Sequence, residues 1–370
     1  RQMCIRDRTK KSLLNYLIPQ TQKKLKVVFL YPREPKTSAW LYSHELGRMY
    51  LDETFSDKLE TEYVAGVDEN NVEQVLEDII KAGADIVFCV GPQMMPNSLK
   101  VAVAHPEVYI LNCSLNAPHP YIRTYYGRMY EAKFLAGMIA GAVTDNERVA
   151  YIADYPIYGM IANINAFALG VASVNPRAKV YLAWSKTKDY DRDKFLTEND
   201  LHYVSDQDII TPNDASRYFG LYKIQGDQTL NLAMPIWNWG VFYEKLLQSV
   251  LAGSYKAEGQ EQVKALNYWW GMSAGVIDLI CSKHVPYGVK RLADHLKSDI
   301  TKGEVVPFFG HIYDQKGELK NKGEHEMKPS DIMKMDWLVD NIVGNIPPMS
   351  EFIDNAKMVV ELKGVEGNKL

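Results

Sequence analysis

The sequence predicts an α/β protein made of two doubly wound units, and three observations carry that prediction. Short, continuously apolar runs alternate with helical stripes, the pattern of parallel strands covered on both faces. The alternation runs through one series, ends near Asp145 and restarts at Glu147. A chain of 370 residues is also too long for one small core and suits two of ordinary size.

The elements follow in order. "KVVFLY" (Lys26–Tyr31) is a buried-strand run closed by Pro32. A second strand leads into "NNVEQVLEDIIKAG", where Val72, Val75, Leu76, Ile79 and Ile80 form one helical stripe. Asn70 or Asn71 is placed to cap it and Gly83 to end it. "ADIVFCVG" and "EVYILNCS" are further strands, with a helix over Asn97–Ala104 between them. In the second series "ERVAYIADYP" is a strand, "MIANINAFALGVASV" a helix and "AKVYLAWS" a strand. Lys186–Asp214 is polar and poorly patterned. "YFGLYKI" and "NLAMPIW" read as strands and Val241–Leu251 as a helix. Gly271–Leu279, the helix Tyr287–Ile300 and "MKMDWLVDNIV" are expected to cross back between the units. That organisation makes 25–146 lobe 1, completed by parts of 236–344, and 147–235 lobe 2, completed by parts of 255–344. The tail 345–370, with Pro347 and Pro348, is expected to be a peripheral arm.

Composition is that of a soluble globular protein, 46% apolar and 24% charged, and a net charge of −4 gives no overall case for nucleic acid. Residues 1–26 hold eight Lys/Arg against Asp7, a net +7 that leaves −11 elsewhere. The basic segment 1–24 is set outside the fold; its charge suits an anionic surface, and a solvated leader is the plainer reading. The chain does not open on Met, carries no apolar stretch of signal-peptide length, and "RQMC" matches a lipoprotein cleavage site poorly. The natural N-terminus is therefore expected to be missing or altered. The longest apolar run, Phe134–Val143, is too short to span a bilayer.

Chemical motifs are mostly absent. Cys4, Cys89, Cys113 and Cys281 lack metal spacing, and Cys89 and Cys113 end apolar runs, as buried thiols do more readily than a disulfide. The eight histidines never fall at ligand spacing, and GxGxxG, GxxxxGK[ST], HExxH and GxSxG are missing, so neither cofactor nor metal nor catalysis is expected. Asp206 and Asp208 in "YVSDQD" would share a strand face, either as an acid/base pair or as polar partners of a ligand. Ligands of open parallel sheets sit at the carboxyl ends of the strands. The loops there, after Tyr31, Val90, Cys113, Ala153 and Leu221 and around Trp237, carry Trp40, Tyr126, Tyr155, Tyr222, Trp237 and Trp239. Aromatic faces with a few hydrogen-bonding groups suit a small planar or sugar-bearing ligand.

"TYYGRMYEAKFLAGMIAGAVT" (Thr124–Thr144), "INAFALGVASVNPRAKV" (Ile164–Val180), "PIWNWGVFY" (Pro235–Tyr243), "FFGHIYDQKGEL" and "MKMDWLVDNIVG" resemble the basic membrane protein (BMP) family over Leu25–Gly344. Its members are substrate-binding proteins related to purine-nucleoside receptors of ABC importers. The resemblance implies the type I periplasmic-binding-protein fold: two Rossmann-like lobes with parallel sheets, joined by a multi-stranded hinge. It further implies a purine base or nucleoside in the cleft, an ABC permease as partner, a monomeric lipoprotein outside the cytoplasm and no enzymatic activity. "KTSAWLYS" keeps the family's first-loop aromatic at Trp40, beside Ser38, but has Thr37 and Leu41 where an acidic residue and an amide are expected. Trp237 and Asn238 replace a ribose-binding lysine. Lost ribose partners and added tryptophan resemble the tryptophan-containing branch, for which a free base such as adenine fits as well as a nucleoside. On that basis Trp237 is expected to face ligand with Asn238 as hydrogen-bonding partner, while Trp239 packs the hinge. "WWGMSAGVIDL" resembles the late glycine loop, so Trp270 and Gly271 are expected in the cleft with Asp278 structural. Tyr126 and Arg128 lie near a strand end where both could face the cleft, and the plainer reading of Arg128 with Glu131 is a structural pair fixing the strand–helix junction. The candidate site is Ser38, Trp40, Tyr126, Tyr155, Asp206, Tyr222, Trp237, Asn238, Trp270 and Gly271. The alternative is a ligand-sensing domain of a regulatory protein using the same cleft. Residues upstream of Leu25 separate the two: a lipobox favours transport, a cytosolic module favours sensing.

Overall fold

Alternation of buried residues builds two sheets. The computed structural model describes residues 23–208, 216–255 and 266–363. The first sheet contains β1 (Leu25–Tyr31), β2 (Leu59–Ala65), β3 (Ile86–Cys89), β4 (Tyr109–Cys113), β5 (Ile122–Gly127) and β11 (Tyr268–Trp270), all parallel, in the order β11-β5-β4-β3-β1-β2. Its period of two feeds two cores: Val27, Phe29 and Tyr31 point to one, Val28 and Leu30 to the other. The helices of this part are α1 (Ala39–Thr54), α2 (Val72–Lys81) and α3 (Met95–Ala104).

The second sheet contains β6 (Arg148–Ala153), β7 (Lys179–Trp184), β8 (Tyr203–Ser205), β9 (Leu221–Gln225), β10 (Gln228–Trp237), β12 (Ile277–Cys281) and β15 (Ile342–Val343), in the order β12-β10-β9-β8-β6-β7-β15. Here the expectation of a parallel sheet needs correction, because β8–β9, β9–β10 and β10–β12 run antiparallel. Only Gly226 and Asp227 separate β9 from β10, and a two-residue loop can join only antiparallel strands. A hairpin of β13 (His311–Tyr313) and β14 (Leu319–Lys322) stands apart.

The remaining helices are α4 (Tyr130–Val143), α5 (Met160–Val174), α6 (Arg192–Glu198), α7 (Trp239–Leu251), α8 (Tyr287–Lys302), α9 (Pro329–Met333) and α10 (Asp354–Lys363). The stretch expected to be unpatterned holds α6 and β8. Asp191 caps α6, its carboxylate accepting from Lys194 N–H at 3.0 Å. Asn71 begins α2 without a side-chain cap; its amide bonds Asp68 N–H and the Gly66 carbonyl instead. As far as Lys363 the tail expected to be a peripheral arm is docked on the second sheet: Phe352 and Val360 are fully buried and the Trp184 indole N–H donates to the Asn345 carbonyl. Cys89 and Cys113 are both buried, and Cys89 is a free thiol that burial pushes up to about 12. Cys4 and nearly all of the basic segment lie outside the described residues.

Three strands of chain cross between the sheets, and they are laced together. They are Gly127–Met129 (β5 to α4), Trp237–Asn238 (β10 to α7) and Gly271–Val276 (β11 to β12). Arg128 N–H donates to the Trp270 carbonyl at 2.9 Å, and Asn238 N–H to the Val276 carbonyl at 2.8 Å. Glu131 accepts from Met272 N–H at 2.7 Å and pairs with Arg128 at 2.9 Å. Glu131 therefore ties α4 to two of the crossovers, although burial raises its carboxyl above the usual range against the opposing pull of Arg128 and the Met272 N–H.

Candidate functional site

Strand ends place the aromatic residues. After β1 the chain turns through Pro35–Thr37, and extended Ser38 caps α1 with its Oγ accepting from Leu41 N–H at 3.5 Å. Trp40 therefore sits in the first turn of α1. Tyr126 is the last residue but one of β5, and Trp237 closes β10. These three half-buried rings meet. Trp40 and Tyr126 lie 5.7 Å apart at 29°, and Trp237 stands edge-on to both, at 5.1 Å from Trp40 and 5.7 Å from Tyr126. A Cβ at Gly127 would fall 2.6 Å from the Trp237 ring, so only glycine admits that indole against β5.

The second sheet offers polar groups at its carboxyl end. Asp154 follows β6 and accepts from the Ser185 hydroxyl. Asp206 follows β8 and accepts from the Tyr222 hydroxyl at 3.0 Å, which in turn accepts from Arg192 at 2.8 Å. Asp208 pairs with the buried Lys133 ammonium at 2.5 Å, with Ser205 Oγ 3.3 Å from the same nitrogen. Asp206 and Asp208 thus turn to different partners and make no acid/base pair; burial raises both carboxyls, with Lys133 opposing it at Asp208. Tyr155 is half-buried on the β6–α5 loop, and Arg33 of the β1–α1 loop lies within electrostatic reach of its hydroxyl. A Cβ at Gly159 would lie 3.1 Å from Leu115 and 4.0 Å from Tyr126. The loops of the two sheets therefore face each other.

Other expected residues lie elsewhere. Trp270 packs on Phe242 and Tyr268, and Gly271 is pressed against the Glu131 carboxylate, so both belong to the crossover rather than to the ring cluster. Asn238 gives its side-chain N–H to the Gly275 carbonyl at 3.1 Å. Asp278 pairs with Lys297. Sequence reasoning missed His44 and Lys133. The i, i+4 spacing of Trp40 and His44 was the available signal for the first, since it puts both on one face of α1. Nothing local marks Lys133, which stands in an apolar helix.

The family model for PnrA-like ABC transporter substrate-binding proteins, Bmp, matches residues 24–227, more than half of the chain. The chain belongs to the Bmp family. A purine-binding protein of Brucella abortus (strain 2308) is 28% identical over 342 residues, covering 88% of this chain and 95% of its own length. A putative ABC transporter glucose-binding protein of Haloferax volcanii is 28% identical over 271 residues, covering 70% and 67%. A solute-binding protein structure from Conexibacter woesei superimposes with TM-score 0.56 at 16% identity, covering 76% of this chain and 98% of its own. A transcriptional activator of the comK gene from Bacillus halodurans does so with TM-score 0.59 at 12% identity, covering 76% and 99%. These Bmp sheets are accordingly the lobes of a type I periplasmic-binding-protein fold. Family members are substrate-binding receptors, and no helix among the described residues is long and apolar enough to cross a membrane.

Proposed function

We propose that this Bmp protein captures a planar ligand of the purine class, a free base or its nucleoside, and presents it to an ABC permease outside the cytoplasm. The observation that carries this reading is the Trp40–Tyr126 pair, two near-parallel rings 5.7 Å apart at the carboxyl end of the first sheet. A flat ring held between two others needs about 3.5 Å on each side, so an opening of roughly 1–2 Å admits one. Trp237 closes the edge, and Asp154 and Asp206 across the cleft accept N–H or O–H groups. A ligand touching both lobes favours their closed arrangement. The Brucella relative's name supports a purine, whereas the Haloferax relative's name points to a sugar, which also stacks on aromatic faces.

Calorimetric titration with adenine, guanine, their nucleosides and glucose tests the reading. A purine is expected to bind, and Trp40→Ala and Tyr126→Ala are each expected to weaken it by roughly 5-fold to 100-fold, in line with about 1–3 kcal/mol per stacked base. Binding of glucose with no response to any purine overturns the ligand class while leaving the fold intact. A companion test is Gly127→Ala, whose new methyl meets the Trp237 ring. It is expected to weaken the same ligand by displacing that indole, and unchanged affinity removes Trp237 from the site.

A further inference from the structure

We propose that His44 and Tyr243 are positioning residues for ligand binding, whose mutual hydrogen bond fixes the buried end of the ring stack that presents Trp237 and Trp40 to the cleft. The inference rests on the ligand reading above. His44 lies one turn beyond Trp40 on α1 and is fully buried. Its ring lies 4.1 Å from Trp239 at 22°, and Trp239 lies 5.3 Å from Trp237 at 9°. Three near-parallel rings thus run from the core to the cleft. Trp40 stands across all of them, edge-on to His44 at 4.7 Å, to Trp239 at 5.6 Å and to Trp237 at 5.1 Å.

Ring quadrupoles favour stacked or edge-on contact but leave rotation about the stacking axis loosely fixed. Trp239 adds no direction of its own, because its buried indole N–H has no hydrogen-bond partner among the described residues. The directional link is His44 Nδ1 to the Tyr243 hydroxyl at 2.6 Å, continued by Tyr243 to the Tyr125 hydroxyl at 3.2 Å. Burial holds the imidazole neutral, so it carries one ring proton, and its other nitrogen faces the Cys113 sulfur at 3.9 Å. This link also ties α1, which follows the ligand loop, to α7, which follows the crossover. A shift of either helix turns the rings between them.

The test uses the whole protein with His44→Phe, Tyr243→Phe and the double variant. His44→Phe keeps a ring of similar size, and Tyr243→Phe keeps the imidazole; each removes the bond. Adenine affinity, measured below every variant's melting temperature, is expected to fall in each single variant by up to roughly fivefold, since the loss acts through the share of molecules whose rings keep the binding orientation and one hydrogen bond sets its ceiling. The double variant is expected to lose no more than one single does, because both remove the same interaction. In the ligand-free protein the tryptophan band at the long-wavelength edge of the near-UV circular dichroism, where neither phenylalanine nor tyrosine contributes, is expected to change in all three as the stacked Trp237 and Trp239 rotate. Lowered melting temperature with wild-type adenine affinity and an unchanged spectrum overturns the proposal, leaving the pair as core packing. If the wild type binds no purine, the ligand reading fails and the spectrum alone decides the positioning role.

Discussion

Gly170→Ala is expected to lower the unfolding free energy by about 3 kcal/mol, at the upper end of the cost of overpacking. Local propensity predicts the opposite sign, since alanine is favoured over glycine within a helix by about 1 kcal/mol. Tertiary contact decides. A Cβ on Gly170 of α5 would overlap the Phe134 carbonyl oxygen of α4, and one on Gly137 of α4 would overlap the Phe167 carbonyl oxygen of α5. The two helices touch backbone to backbone at this crossing, with Gly141 repeating the approach one turn on. Fixed carbonyls cannot swing aside as a long side chain does, so the helices must part and lose the packing of Phe167, Met138 and Val171 around them. Urea unfolding of Gly170→Ala and Gly137→Ala measures the effect. Gly288→Ala, at an exposed α8 position with no atom near the new methyl, is the control and is expected to leave stability unchanged or slightly raised. Equal midpoints for Gly170→Ala and the wild type would refute the contact.

Lys133→Met is expected to cost about 3 kcal/mol at neutral pH, the order observed when one partner of a buried ion pair is removed. The Lys133 side chain is 1% exposed and Asp208 18%, so the carboxylate left behind has little water to turn to. Methionine replaces most of the lysine stem, so lost volume contributes little. The pH dependence separates charge from packing. Burial already raises Asp208, and Lys133 opposes that rise, so removing the lysine raises it further. An acid whose folded-state value is raised takes up a proton on folding, and its destabilising effect is present above that value and relieved as pH falls through it. The deficit of Lys133→Met relative to wild type should therefore shrink on acidification. Asp208→Asn in the same background is expected to recover part of the loss at neutral pH. A deficit that is constant with pH, and unaffected by Asp208→Asn, would assign the loss to packing alone.

The ring cluster was legible to a useful depth. Trp40 and Trp237 stand out because each lies at or beyond the end of an apolar run, and carboxyl ends of strands in facing sheets converge; Tyr126, expected on the loop after Cys113, instead lies in β5. Trp239, which the sequence places in the hinge packing, is 1% exposed. Asn238, Trp270 and Gly271 were read from a loop motif alone. A motif places a residue at a crossover without saying which side of it faces the cleft, and these three are bound up with the crossover itself. Stretches of weak pattern failed for a different reason. In α6 only Leu196 is buried, so seven residues give no stripe to recognise, although its Asp191 cap was visible in principle.

The sequence by itself determined where apolar period changes, and so the two sheets, the helices α2, α3, α5 and α7 and the family, because burial on one face or both is written into local spacing. Only the tertiary structure decided the antiparallel half of the second sheet, the pairing of Lys133 with Asp208 and the stack of His44, Trp239 and Trp237. Each of these joins residues far apart in the chain through contacts that no local period encodes. The glycines show the division most plainly: "FLAGMIAGAV" reads as an apolar run holding two glycines, and only its neighbour α5 turns those positions into the surface where the helices meet.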